Sequence, residues 1–150
     1  MKPVELLPLE AIKLGLTART KKEAIGRMVE IASKSGKIKN IDKVKKQVLE
    51  REALASTGIG NGVAFPHTRS DFIESLVASF AILKSPLDFG AIDGKPVQII
   101  FLLLSREENV GKQLRYLSMY SRILSDTDNQ EKLLKANSEA EIFDFFNEIE

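Results

Sequence analysis

The stretch Val97-Gln-Ile-Ile-Phe-Leu-Leu-Leu104 decides the fold class of this chain. From Ile99 to Leu104 it is unbroken apolar sequence, the longest such run present. That is far too short for a membrane span, and it lacks the alternation of a half-exposed strand. It reads as a strand buried on both faces, which requires helices above and below it. Leu76 to Leu83 reads as a second strand, with Pro86 and Asp93-Gly94 marking turns between the two. Beyond the long strand the period becomes helical, with Val110, Leu114, Leu117, Tyr120 and Leu124 along one side. Thr127 with Gln130, and Ser138 with Glu141, announce two further helices. The last of these is expected to bury Ile142, Phe145, Phe146 and Ile149.

Upstream, Thr20 and Glu23 form a capping box ahead of Ile25, Met28, Val29 and Ala32, and Gly36 suits the end of that helix. A second helix is expected from about Ile41-Asp42 through Val44, Val48 and Leu49 to about Leu54. Residues 9–16 alternate loosely and are expected to form a first strand. Strands and helices interleave throughout. The expectation is therefore an α/β fold, a small mixed sheet flanked by helices on both faces, with residues 1–150 as a single domain.

The chain has 150 residues, of which 43% are apolar, enough for a substantial core. With 22 Lys and Arg against 21 Asp and Glu, the formal net charge is +1. That balance gives no footprint for nucleic acid. The absence of cysteine removes disulfides, thiolate nucleophiles and zinc-thiolate sites, and a single histidine removes any multi-histidine metal site. No metal or cofactor is expected. Met1 to Leu16 carries acidic residues and two prolines rather than a signal-peptide pattern, so a cytoplasmic protein without membrane insertion is expected.

Three features carry possible chemistry. His67 follows the short extended run Val63-Ala-Phe65 and Pro66, whose fixed φ turns the chain abruptly, and Thr68 to Asp71 after it are polar. It is either a surface histidine of no consequence or an accessible imidazole nucleophile. Ala55-Ser-Thr-Gly-Ile-Gly-Asn-Gly62 is the one glycine-dense stretch. It lacks the Gly-Lys-Ser/Thr of a P-loop, and with a helix before it and a strand after it does not suit a dinucleotide fingerprint. A tight helix-to-strand turn accounts for it. So does an anion-binding nest formed by Gly58 and Gly60, with Ser56 and Thr57 adding hydroxyl donors. Arg51 continues the Val44–Val48 stripe at the end of its helix. Its stem covers apolar surface while its head reaches water, or its guanidinium is aimed at the glycine turn for bidentate contact with a phosphoryl group. No carboxylate pair, serine triad or metal set competes with these three.

The stretch from Arg51-Glu-Ala-Leu-Ala-Ser-Thr-Gly58 to Ile59-Gly-Asn-Gly-Val-Ala-Phe-Pro-His67 closely resembles the signature of enzyme IIA domains of the bacterial phosphoenolpyruvate-dependent phosphotransferase system. The class is the fructose/mannitol one, which includes nitrogen-regulatory IIA proteins. The likeness continues through Pro86-Leu-Asp-Phe89, Asp93-Gly-Lys-Pro-Val97 and Phe101-Leu-Leu-Leu104 to the helix with Leu114, Leu117 and Ser118. It implies that His67 accepts a phosphoryl group on Nε2 from a histidine phosphocarrier protein, and that Arg51 binds the phosphate. It also implies a mixed sheet flanked by helices. In transport systems the next recipient is a cysteine of a IIB domain, and sugar is phosphorylated beyond it. The family usually carries a second histidine beside the acceptor, in the first turn of the helix after the long strand. Here that place is taken by Gln113, in Val110-Gly-Lys-Gln113. An amide still donates a hydrogen bond near a helix N-terminus but carries no positive charge, so transfer is expected to be slower unless Lys112 or Arg115 compensates. Ala55 stands where glycine is commoner, a minor change. Two functions follow from the resemblance, a relay component for sugar uptake and a regulatory module read by a partner protein. A slow transfer step suits the second. A simple anion-binding fold is left only if His67 is inert.

Overall fold

Strand pairing organises the molecule, whose computed structural model describes residues 2–149; Met1 and Glu150, the two ends of the expected domain, lie outside the described residues. β1 (Ile12–Leu16), β2 (Gly58–Gly60), β3 (Val63–Ala64), β4 (His67–Arg69), β5 (Val77–Leu87) and β6 (Val97–Ser105) form one mixed sheet. Its order is β1-β5-β6-β3-β2, with β4 also on β6. β5 and β6 are antiparallel, whereas β1 joins β5, and β3 and β4 join β6, in parallel. The helices are α1 (Lys21–Ser33), α2 (Ile41–Leu54), α3 (Val110–Ser125), α4 (Thr127–Leu134) and α5 (Glu139–Asn147).

The alternation of β6 divides the core in two. Ile100, Leu102 and Leu104 pack with residues of α1 and α2, such as Met28, Val29, Val44 and Val48. Ile99, Phe101 and Leu103 pack with Tyr116, Tyr120 and Leu124 of α3 and with Ile142 and Phe146 of α5. Helices therefore cover both faces, as expected from a strand with no polar side. Phe101 stacks on Tyr120 with ring centres 4.0 Å apart, and the Tyr120 hydroxyl donates to the Pro3 carbonyl.

The helix starts follow their caps. Thr20 Oγ1 accepts from Glu23 N–H, Asn40 Oδ1 from Lys43 N–H, and Ser138 Oγ from Glu141 N–H. Several local expectations need correction. Residues 9–16 are not all strand: Pro8 starts a 3-10 turn over Leu9–Ala11, closed by the Ala11 N–H on the Pro8 carbonyl, and β1 begins at Ile12. Pro86 lies inside β5 rather than in a turn. β1 pairs no farther than Leu83, and the register against β6 is irregular between Ile82 and Leu87, so no ladder bond is required of its missing N–H. The α4 cap is Asp126, whose Oδ1 accepts from Asn129 N–H, so Thr127 is already helical. On α3 the buried stripe is Gln113, Tyr116, Tyr120 and Leu124, which leaves Leu114 61% exposed and Leu117 half-buried. On α5, Phe145 and, just beyond its end, Ile149 are only partly buried against the core. Among the described residues no helix is long and apolar enough to cross a membrane.

Candidate functional site

His67 does more than follow the extended run Val63–Phe65: it opens a strand of its own. β3 stops at Ala64 and β4 begins at His67, both parallel to β6 and in the same register: Val63 lies opposite Ile99 and His67 opposite Leu103. Pro66 has no N–H, and the Phe65 N–H leaves the β6 ladder to donate to the Thr57 carbonyl at 3.0 Å. At this break the half-buried His67 ring turns back on its own chain. Its Nδ1 lies 2.7 Å from the Phe65 carbonyl oxygen. A carbonyl only accepts, so Nδ1 carries the proton, and the lone pair of the neutral ring sits on Nε2.

The strand that carries His67 is held from both sides. α2 packs against β4 from one side. α3, behind β6, sends Gln113 to β4, where its Nε2 donates to the Thr68 carbonyl at 3.1 Å, and Gln113 is only 3% exposed. Arg51 is half-buried near the end of α2, its Nη1 donating to the Ala55 carbonyl at 3.1 Å. It does not continue the apolar stripe. After Val44 and Val48 the buried position is Glu52, one residue on. Arg51 lies beside that stripe, which leaves its guanidinium at the turn between α2 and β2. Lys112 and Arg115 are exposed on α3.

The glycine stretch is hairpin rather than nest. Gly58–Gly60 is β2, antiparallel to β3, and the turn runs through positive φ at Gly60, Asn61 and Gly62. A side chain at Gly58 would meet the Cβ of Ala91 at 2.8 Å, so that glycine answers a close approach. The donors of Ser56, Thr57 and Gly58 expected to converge on an anion are already engaged. Gly58 N–H donates to Ser56 Oγ, and Ser56 Oγ donates to the Phe89 carbonyl at 2.6 Å. Thr57 donates its N–H and its hydroxyl to Glu52. Asn61 N–H donates to Asp93 Oδ2 at 2.9 Å, and a side chain at Gly60 would meet that oxygen at 3.2 Å. Hydrogen bonds from the backbone of Asn61, then of Lys95, hold the Asp93 carboxyl below its usual range, so a negative charge sits where the nest would have been. Ser56, Thr57, Gly58 and Gly60 thus build the turn that shapes the site.

The residue that the sequence reading missed is Glu52, buried at the end of α2. Its signal is the i, i+4 step from Val48, which competes with the i, i+3 step to Arg51.

The sequence model described as "Phosphoenolpyruvate-dependent sugar phosphotransferase system, EIIA 2" matches residues 5–149. The fructose-specific EIIABC component of Bacillus subtilis is 33% identical over 148 residues, covering 99% of this chain and 23% of that longer protein. The fructose-specific EIIA component of Haloferax volcanii is 34% identical, covering 96% of this chain and 94% of its own length. A nitrogen regulatory protein of Bradyrhizobium diazoefficiens is 37% identical, covering 86% and 84%. Among solved structures, the nitrogen regulatory protein IIA-Ntr of Neisseria meningitidis superposes with a TM-score of 0.89 at 31% identity, over 95% of this chain and 97% of that one. The IIA mannitol enzyme of Escherichia coli, solved in complex with its phosphorylated IIB enzyme, has the same fold, with a TM-score of 0.81 at 23% identity over 94% of this chain and 96% of that one.

Proposed function

Because this chain belongs to the EIIA 2 family of the phosphoenolpyruvate-dependent sugar phosphotransferase system, we propose that it relays a phosphoryl group through His67. The 150 residues act as one cytoplasmic IIA domain in this reading. The observation that carries it is the 2.7 Å contact between His67 Nδ1 and the Phe65 carbonyl, which leaves Nε2 as the nucleophile. Nε2 attacks the phosphorus of a phosphorylated histidine phosphocarrier protein. The new N–P bond forms as the donor's N–P bond breaks, and the electron pair returns to the donor imidazole. Arg51, at the end of the helix that packs against β4, stabilises the phosphoryl oxygens with its planar fork. Gln113 steadies the strand next to His67 and supplies an amide near the α3 N-terminus. Ser56, Thr57, Gly58 and Gly60 contribute by shaping the turn. Phosphohistidine then passes its group to a cysteine of a IIB domain and so to sugar. The E. coli complex of a IIA and a phosphorylated IIB supports such a recipient.

A second reading has its own support. The Bradyrhizobium and Neisseria relatives are nitrogen regulatory proteins, and Gln113 gives this chain a neutral group where an imidazole is usual. In that reading the phosphorylation state of His67 governs the binding of a regulatory partner.

Incubation with phosphoenolpyruvate, enzyme I and phosphocarrier protein should add one acid-labile phosphoryl group to the wild type and none to His67→Ala. An unlabelled wild type, or a labelled His67→Ala, would refute the assignment. Adding a fructose- or mannitol-class IIB domain separates the two readings. Loss of label to IIB supports transport, and retention of label supports regulation.

A further inference from the structure

Glu52 is a buried carboxylate in a chain whose other acidic residues lie largely at the surface, its side chain only 4% exposed. Taking a carboxylate out of water is strongly unfavourable unless it is paired and hydrogen-bonded. It has both. Lys21 Nζ, at the first residue of α1, lies 2.8 Å from Oε2. The Thr57 N–H donates to Oε2 at 2.7 Å, and the Thr57 hydroxyl donates to Oε1 at 2.5 Å. Lys21 in turn donates to the Phe89 carbonyl at 2.9 Å and sits 5.1 Å over the Phe89 ring. Residue 57 is therefore fixed through both its backbone donor and its side chain, against a charge that is itself anchored to two other elements.

What residue 57 holds gives the cluster a second meaning. The Thr57 carbonyl accepts the Phe65 N–H at 3.0 Å, and the Phe65 carbonyl accepts from His67 Nδ1 at 2.7 Å. Phe65 is thus gripped at its N–H while its carbonyl sets the imidazole, and its ring is wedged edge-on against Phe101. A helix-end staple alone would be served as well by apolar packing, without the desolvation of two charges.

We propose that Glu52, anchored by Lys21, is a positioning residue for His67. Through Thr57 and the Phe65 carbonyl it fixes the ring orientation and the Nδ1–H tautomer that leaves Nε2 free. This rests on the phosphoryl-acceptor reading of His67 for its consequence, but not for its geometry.

The test compares wild type, Thr57→Val, Thr57→Ser and Glu52→Gln at a temperature well below the melting transition of each. Nitrogen-15 NMR of the His67 ring reports the tautomer, and single-turnover transfer from phosphorylated carrier reports the consequence. Thr57→Val keeps the Lys21–Glu52 pair and the backbone bond, so it remains informative if Glu52→Gln does not fold. The wild-type ring should be in the Nδ1–H form. Thr57→Val and Glu52→Gln should shift it toward Nε2–H and slow transfer roughly fivefold, in proportion to the reactive fraction lost. Thr57→Ser, which restores the hydroxyl, should restore both readouts. An unchanged tautomer, or an unchanged transfer rate, in folded Thr57→Val would overturn the proposal and leave a structural staple. A wild type that takes no phosphoryl group defeats the relay reading instead, and the ring spectra still decide the positioning.

Discussion

Replacing Gln113 by histidine should accelerate phosphoryl transfer, and the structure sets the size of the effect. Gln113 is buried and uses one amide N–H on the Thr68 carbonyl at 3.1 Å, next in sequence to His67. A protonated imidazole in its place keeps a donor for Thr68 and turns a second, charged N–H toward the phosphoryl group. A charge-assisted bond exceeds a neutral one by about 1 kcal/mol, or roughly fivefold in rate. Because the gain belongs to the charged ring, it is present below the pKa of the new histidine and fades as pH rises through it. Single-turnover transfer from phosphorylated carrier, followed from pH 6 to pH 8, measures this. Gln113→Ala serves as the opposite control. It loses the Thr68 bond, worth about 1 kcal/mol, together with buried side-chain volume, so transfer should slow. Melting should fall by about 2–4 °C for each kcal/mol lost in a chain of this size. No acceleration in Gln113→His at any pH would refute the reasoning. It would mean that Lys112, Arg115 or Arg51 already supplies the charge, and that Gln113 does not mark a slow protein.

Arg51→Lys keeps the charge but loses the planar fork, so phosphorylation should slow while melting stays nearly constant, since Arg51 bonds one carbonyl at an exposed helix end; a wild-type rate would make the arginine structural. Gly58→Ala forces a methyl to within 2.8 Å of the Ala91 Cβ and 3.1 Å of its Cα, which should destabilise by about 1–3 kcal/mol; chemical denaturation showing no change would place the Ala91 loop farther away. Asp93→Asn should lower the melting temperature at pH 7, and the gap from wild type should close in acid. The folded carboxyl is held below its ordinary value of 3.8, so its contribution is complete above that pH and is lost as pH falls through the depressed value. A gap that persists at pH 2 would show that the charge of Asp93 is not what staples the hairpin turn.

The fold class was legible because Ile99 to Leu104 permits only a strand covered on both sides, and the family was legible because Arg51 to His67 is so specific a stretch. The finer errors share a cause. Helical spacing does not distinguish i+3 from i+4 at the end of a stripe, so the pattern puts Arg51 on the buried line that Glu52 occupies, and Leu114 on the line that belongs to Gln113. Glycine density signals backbone freedom without saying what demands it. Here the demands come from Ala91 and from the hairpin turn, both fixed by residues more than thirty positions downstream. β4 was invisible for a similar reason. His67-Thr-Arg69 has no strand pattern of its own and is strand only because β6 offers it an edge.

That dependence has a consequence during synthesis. His67 leaves the ribosome well before Leu103, the residue it lies opposite, and Ile12 waits still longer for Phe80. At about 5–20 residues per second, translation alone keeps His67 in a segment without its β6 partner for some seconds. Apart from the short β2–β3 hairpin, the antiparallel β5–β6 pair is the part of the sheet whose two strands are close in sequence, and β3 and β4 can dock only once β6 exists. A nascent chain halted before β6 would contain the whole Arg51–His67 stretch but not the strand edge that orders His67.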